Sequence, residues 1–106
     1  MKENITPKNK EGQHHGLWEW YHSNGKLESK EYFINGNAVG LWERYFSNGQ
    51  LSTKGNYIND YRHGLWEWYH TNGQPSLKGN YINGNKDGYW EYYNSNGKLE
   101  TKEYFI

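Results

Sequence analysis

Residues 16–40 read GLWEWYHSNGKLESKEYFINGNAVG, and the chain then repeats itself: GLWERYFSNGQLSTKGNYINDYRHG from Gly40, GLWEWYHTNGQPSLKGNYINGNKDG from Gly64, GYWEYYNSNGKLETKEYFI from Gly88. The step is 24 residues each time, and it brings Trp18, Trp42, Trp66 and Trp90 into register. Glu19, Glu43, Glu67 and Glu91 follow them, then Tyr21, Tyr45, Tyr69 and Tyr93, then Lys30, Lys54, Lys78 and Lys102. Self-similarity at a fixed period marks a repeat architecture in which each copy completes its neighbour. The copies are 16–39, 40–63, 64–87 and 88–106, preceded by a half repeat or cap strand over residues 1–15 in which Glu11-Gly12 falls on the Asn35-Gly36 turn position.

Each copy alternates like a strand, meets Asn-Gly, and alternates again. Asn-Gly between two such runs predicts a hairpin closed by a two-residue type I′ turn, with a looser connection to the next copy. With Asn24 and Gly25 as the loop, Glu19 falls opposite Lys30, and the same holds for Glu43 and Lys54, Glu67 and Lys78, Glu91 and Lys102; opposite charges paired across strands support that register. Alternation assigns Trp18, Trp20, Leu27 and Phe33 to one apolar face, with Trp42, Phe46, Leu51, Tyr57, then Trp66, Trp68, Leu77, Tyr81, then Trp90, Tyr92, Leu99, Phe105. The tyrosines and the Glu-Lys pairs lie on the other. The expected fold is all-β: a single elongated, twisted antiparallel sheet of tandem hairpins, with copies about 10 Å apart and a length of roughly 40 Å. Pro7, Lys8 and Lys10 at one end, and Lys98, Glu100, Lys102 and Glu103 at the other, discourage edge pairing.

Composition agrees. Of 106 residues only 33% are hydrophobic, and these are concentrated in aromatic side chains, with one alanine and no cysteine. That suits short strands and tight turns better than a thick core. Twelve basic against twelve acidic residues leave no net charge, which favours neither nucleic acid nor an anionic membrane as a partner. The opening residues hold no apolar stretch of signal length and no segment approaches a membrane span, so a cytoplasmic location is expected.

The pattern GxWExYxxNGxLxxKxxYIxGxxxG resembles the MORN-repeat variant of bacterial proteins described as YwqK-like antitoxins. The resemblance runs from Gly16 to Ile106 and implies an elongated hairpin sheet, protein binding that includes neutralising a toxin, and no catalytic residues. The aromatic repeats that hold choline or cell-wall glycan are a weaker likeness, because those run near twenty residues and follow a secretion signal.

Conventional chemistry is absent from the pattern. The glutamates recur in identical environments about 10 Å apart, facing lysines, unlike the unequal carboxylates of a glycosidase. His22 and His70 stand two copies apart, so they cannot share a metal ion, and His14, His15 and His63 complete no ligand set. The glycines fall singly at turns and form no phosphate loop. The expectation is no enzyme, metal or cofactor, but a partner-binding face. It comprises Trp18, Trp20, Trp42, Trp66, Trp68, Trp90 and Tyr92, with the repeat-breaking Arg44, Tyr61, Arg62 and His63 as specificity positions. The predicted function is an antitoxin-like or phage-type inhibitor that occludes one protein partner: a toxin, a nuclease or another effector. A scaffold, or a repeat that contacts glycan or lipid, is the alternative.

Overall fold

The computed structural model describes residues 2–106, so Met1 of the N-terminal half repeat lies outside the described residues. The chain forms one antiparallel sheet from β1 (Gly16–Tyr21), β2 (Leu27–Ile34), β3 (Asn37–Ala38), β4 (Gly40–Tyr45), β5 (Leu51–Ile58), β6 (Tyr61–Tyr69), β7 (Pro75–Ile82), β8 (Asn85–Tyr93) and β9 (Leu99–Phe105). Spatial order follows chain order, with the short β3 paired beside β4 on β2. The extents are 47 × 35 × 12 Å. The smallest of these leaves room for one sheet and its side chains, since a second sheet would add about 10 Å. Among the described residues no helix is long and apolar enough to cross a membrane.

The turns are distributed opposite to expectation. At Asn24-Gly25 the His22 carbonyl accepts from Gly25 N–H (2.9 Å) and His22 N–H donates to the Lys26 carbonyl (2.8 Å). Only Gly25 has a positive φ there. This is a three-residue loop, a type I turn closed by a left-handed glycine, and it recurs at Gly49, Gly73 and Gly97. The type I′ turns lie at the connections expected to be loose: Asn35-Gly36 (φ 47° and 89°), Asn59-Asp60 (45° and 74°) and Asn83-Gly84 (50° and 85°). The first Asn serves another purpose. Asn24 Oδ1 accepts from Lys26 N–H, while its Nδ2 donates to the Ser47 carbonyl of the next hairpin at 2.8 Å; Asn48 and Asn72 repeat that inter-hairpin bond to Thr71 and Ser95.

A three-residue loop shifts the register by one residue, and a bulge at Glu28 returns it, so Trp20 pairs with Ser29 while Tyr21 pairs with Leu27. The Glu19–Lys30 pairing therefore holds, and it continues between hairpins as Lys30–Glu43, Lys54–Glu67 and Lys78–Glu91. One alternating ladder of eight charges crosses the whole sheet. The bulge also corrects the expected faces. Leu27, Leu51 and Leu99 pair with Tyr21, Tyr45 and Tyr93, and so lie on the tyrosine face instead of beside the tryptophans. Pro75 likewise faces Tyr69, whereas Leu77 faces Trp68.

Burial centres on the tryptophans. Between Lys54–Glu67 and Asn56–His63 the single residue Gly55 faces three residues of β6, Gly64, Leu65 and Trp66. The extra length lets the Trp66 indole fold back onto Gly55, where a Cβ would overlap the ring. Its Nε1–H donates to the Asn56 carbonyl at 3.1 Å. Trp90 sits the same way on Gly79 and bonds Asn80. Both rings are 0% exposed. Trp18 is served by the half repeat ahead of it: Ile5 pairs with Glu19, and the Pro7 carbonyl accepts from Trp18 Nε1 at 2.8 Å.

Replacing Gly79 by Ala should displace Trp90 and destabilise the chain by about 1–3 kcal/mol, the usual cost of overpacking a filled site. Urea unfolding followed by tryptophan fluorescence measures it; an unchanged midpoint would show that the ring does not depend on the bare backbone beneath it.

Candidate partner-binding face

The face that carries the tryptophans is where one layer leaves aromatic surface without a cover. Trp66 and Trp90 are wholly enclosed by their own chain and Trp18 is 5% exposed, so their rings hold the sheet together. Trp20, Trp42, Trp68 and Tyr92 are half-buried, and Arg44 is exposed. Trp42, Trp66, Trp68 and Trp90 form a continuous run of rings with centroid separations of 5.5, 6.0 and 5.7 Å, flanked edge-on by Tyr57 and Tyr81.

Cations lie across this run. Arg62 pairs with Tyr57 across the strands, stands 4.6 Å from the Trp66 ring and donates to the Tyr81 hydroxyl at 3.1 Å. Lys86 takes the equivalent place 4.8 Å over Trp90, and His14 lies 3.9 Å from Trp18. The position that carries His14, Arg62 and Lys86 four residues before Trp18, Trp66 and Trp90 is Ala38 before Trp42. Trp42 instead receives Arg44, whose guanidinium sits 5.2 Å from its ring. Tyr61 is 59% exposed and, with Arg62 and Lys86, borders a depression of about 540 Å³ near the Asn83-Gly84 turn. His63 is half-buried in β6, with its Nδ1 enclosed and without a hydrogen-bond partner. Thus the structure brings Trp42, Arg44, Arg62, Trp68 and Tyr92 onto one surface, with Tyr61 at its rim.

Sequence reasoning missed a cleft of about 220 Å³ between the first and second hairpins, bordered by Trp18, Trp20, Phe33, Glu28, Glu31 and Arg44. The signal lay in one column of the repeat. Residues 31, 55, 79 and 103 are Glu, Gly, Gly and Glu, and the bare backbone at two of them is what seats an indole.

The opposite face is the charge ladder. Tyr69 and Tyr45 ionise above the ordinary 10.0, first because burial opposes the phenolate, then because Glu67 and Glu43 repel it and accept its hydrogen bond. At the turn edge the Nε2 atoms of His22 and His70 each lie 2.9 Å from a backbone carbonyl oxygen of the next hairpin, Tyr45 and Tyr93.

An open, one-layer stack of hairpins with an uncovered aromatic face defines a tandem-repeat binding module. The profile of the family described as MORN repeat variant matches residues 15–35, 38–59, 62–83 and 86–106. The chain belongs to that family, whose repeats are binding modules and not typically enzymes. No curated protein matches the chain.

A raised phenol pKa means that the neutral form is favoured by folding; its contribution is present below the ordinary 10.0 and is lost as pH rises through the raised value. Glu67→Gln should therefore lower the Tyr69 midpoint without bringing it fully to the ordinary value, because burial remains. Tyrosinate absorbance, with Tyr69→Phe to identify the phenol, measures the shift; an unmoved midpoint would remove Glu67 as a cause.

Proposed function

We propose that this chain is an antitoxin-like inhibitor that lays its tryptophan face on one protein partner and occludes that partner's active surface. The observation that carries the reading is the set Trp42, Trp68 and Tyr92, half-buried on one face of a sheet only 12 Å thick, with Arg44 and Arg62 beside the rings. Tryptophan, tyrosine and arginine are the residues from which interface hot spots are built, because they combine large rigid area with a polar handle. The partner class fitting this reading is a toxin, a nuclease or another effector protein acting in the cytoplasm. A scaffold that contacts glycan or lipid through the same rings is the second reading, favoured only by the aromatic character of the face.

The test uses tagged protein with host lysate, followed by affinity and inhibition measurements on the purified pair. Trp68→Ala and Arg44→Ala remove side chains that are not enclosed, so the fold should survive. Each should weaken partner binding by about 2 kcal/mol, the threshold for a hot spot, and release the partner's activity. Unaltered affinity in both variants would remove this face from the interface. Binding to neutral vesicles or glycans with no protein inhibited would favour the scaffold reading.

A further inference from the structure

The cleft between the first two hairpins is an indole socket with no indole in it. In the third copy the socket is filled: Trp66 lies over Gly55 with its ring 5.5 Å from Trp42 and 5.2 Å from Tyr57, nearly perpendicular to the latter. Twenty-four residues earlier the corresponding walls are Trp18 and Phe33, 5.4 Å apart, and the ring that corresponds to Trp66 is Trp42. Trp42 packs instead against Trp66 and Tyr57 and stays half-buried. The reason is the floor. Glu31 replaces the glycine, and a Cβ at that place would overlap a seated indole, as it would at Gly55.

The socket thus keeps aromatic walls, with the His14 ring at its border 3.9 Å from Trp18 and 5.0 Å from Phe33, while its floor has become anionic. Glu31 accepts weakly from Ser29 Oγ (3.4 Å), which is itself buried, and Glu28, carried into the cleft by the bulge, adds a second carboxylate where the second and third copies have Ser52 and Ser76 and the fourth has Glu100. Arg44 borders the far side, with its guanidinium 5.2 Å from the Trp42 ring. A flat cation meets both demands. A guanidinium stacks on aromatic faces and presents a planar fork to carboxylates, which a lysine ammonium does not. The fold already places Arg62 against Trp66 in this manner.

We infer that the cleft bordered by Trp18, Phe33, Glu28 and Glu31 seats an arginine side chain of the protein partner. The seat rests on the protein-docking reading above and names the chemistry of its anchor. It lies at one end of the tryptophan run, so a single arginine entering it would fix the register of a partner lying along the sheet.

The full chain is titrated with N-acetyl-arginine methylamide, and the indole N–H resonances are followed by NMR. The expected result is a saturable shift at Trp18 and Trp20, with Trp66 and Trp90 unmoved and no response to the neutral citrulline analogue. Glu28→Gln and Glu31→Gln should each weaken binding by about tenfold, and Glu31→Gly should abolish it by letting Trp42 enter the socket. An unchanged Trp90 resonance in each variant reports an intact fold; in Glu31→Gly the Trp66 resonance shifts, because Trp42 leaves its place 5.5 Å away. No saturable shift, an equal response to citrulline, or undiminished binding by both Gln variants would overturn the seat. The two readings fail separately. A partner released by Trp68→Ala but indifferent to the Glu28→Gln, Glu31→Gln pair would overturn the arginine seat and leave the docking face. Arginine binding in a protein whose partner ignores Trp68→Ala would overturn the docking face and leave a guanidinium site.

Discussion

The indole of one hairpin lying on the bare backbone of the hairpin before it is the contact on which this structure depends. A one-layer sheet cannot bury side chains between layers, so it must bury them along itself. Trp66 over Gly55 and Trp90 over Gly79 do this, each with its nitrogen bonded to the carbonyl one residue further along the same strand. Enclosing an aromatic ring of 150–250 Å² is worth up to about 4–6 kcal/mol at the usual area coefficient. A Glu–Lys rung contributes about 0.2–1 kcal/mol, and a turn-edge Asn bond about 1 kcal/mol. The ladders are numerous, but they align the hairpins; the rings hold them.

That division explains how the half repeat serves the first hairpin and why one junction differs from the others. A repeat protein is held by contacts between neighbours, so each junction stands or falls by its own side chains. The half repeat gives Trp18 its carbonyl and its cover through Pro7. The β2–β4 junction is the exception. Glu31 bars the ring, Ala38 withholds the cation found at Arg62 and Lys86, and Arg44 replaces an aromatic, while the strands there retain Ser29–Arg44 and Lys30–Glu43 pairing. Departures that look scattered along the chain converge in space on one junction.

A repeat of this kind separates scaffold from recognition. Rings seated on glycine are spent on cohesion and have no surface to offer, whereas rings two residues later, Trp20, Trp68 and Tyr92, remain half-open on the same face. Strand alternation puts both sets on one side, and the bulge of β6 and β8 decides which of each pair turns inward. The surface available to a partner is therefore a product of backbone irregularity as much as of composition.

The 24-residue period, the Asn-Gly turns and the alternation of aromatic with charged residues determine by themselves that the chain is a single sheet of hairpins with Glu19 facing Lys30 and each later pair repeating it. These follow from local stereochemistry and from a periodicity that four copies average over. The turn types, the placement of Leu27 and its equivalents with the tyrosines, and the cleft at Glu31 did not follow. Asn-Gly suits both a two-residue and a three-residue loop, and a loop change offset by a bulge leaves the charge register untouched, so the pairing could be read correctly through the wrong turn. The seating of Trp66 and Trp90 depends on a bare glycine backbone on the preceding hairpin, a contact eleven positions away in sequence that only the folded chain brings beneath the ring.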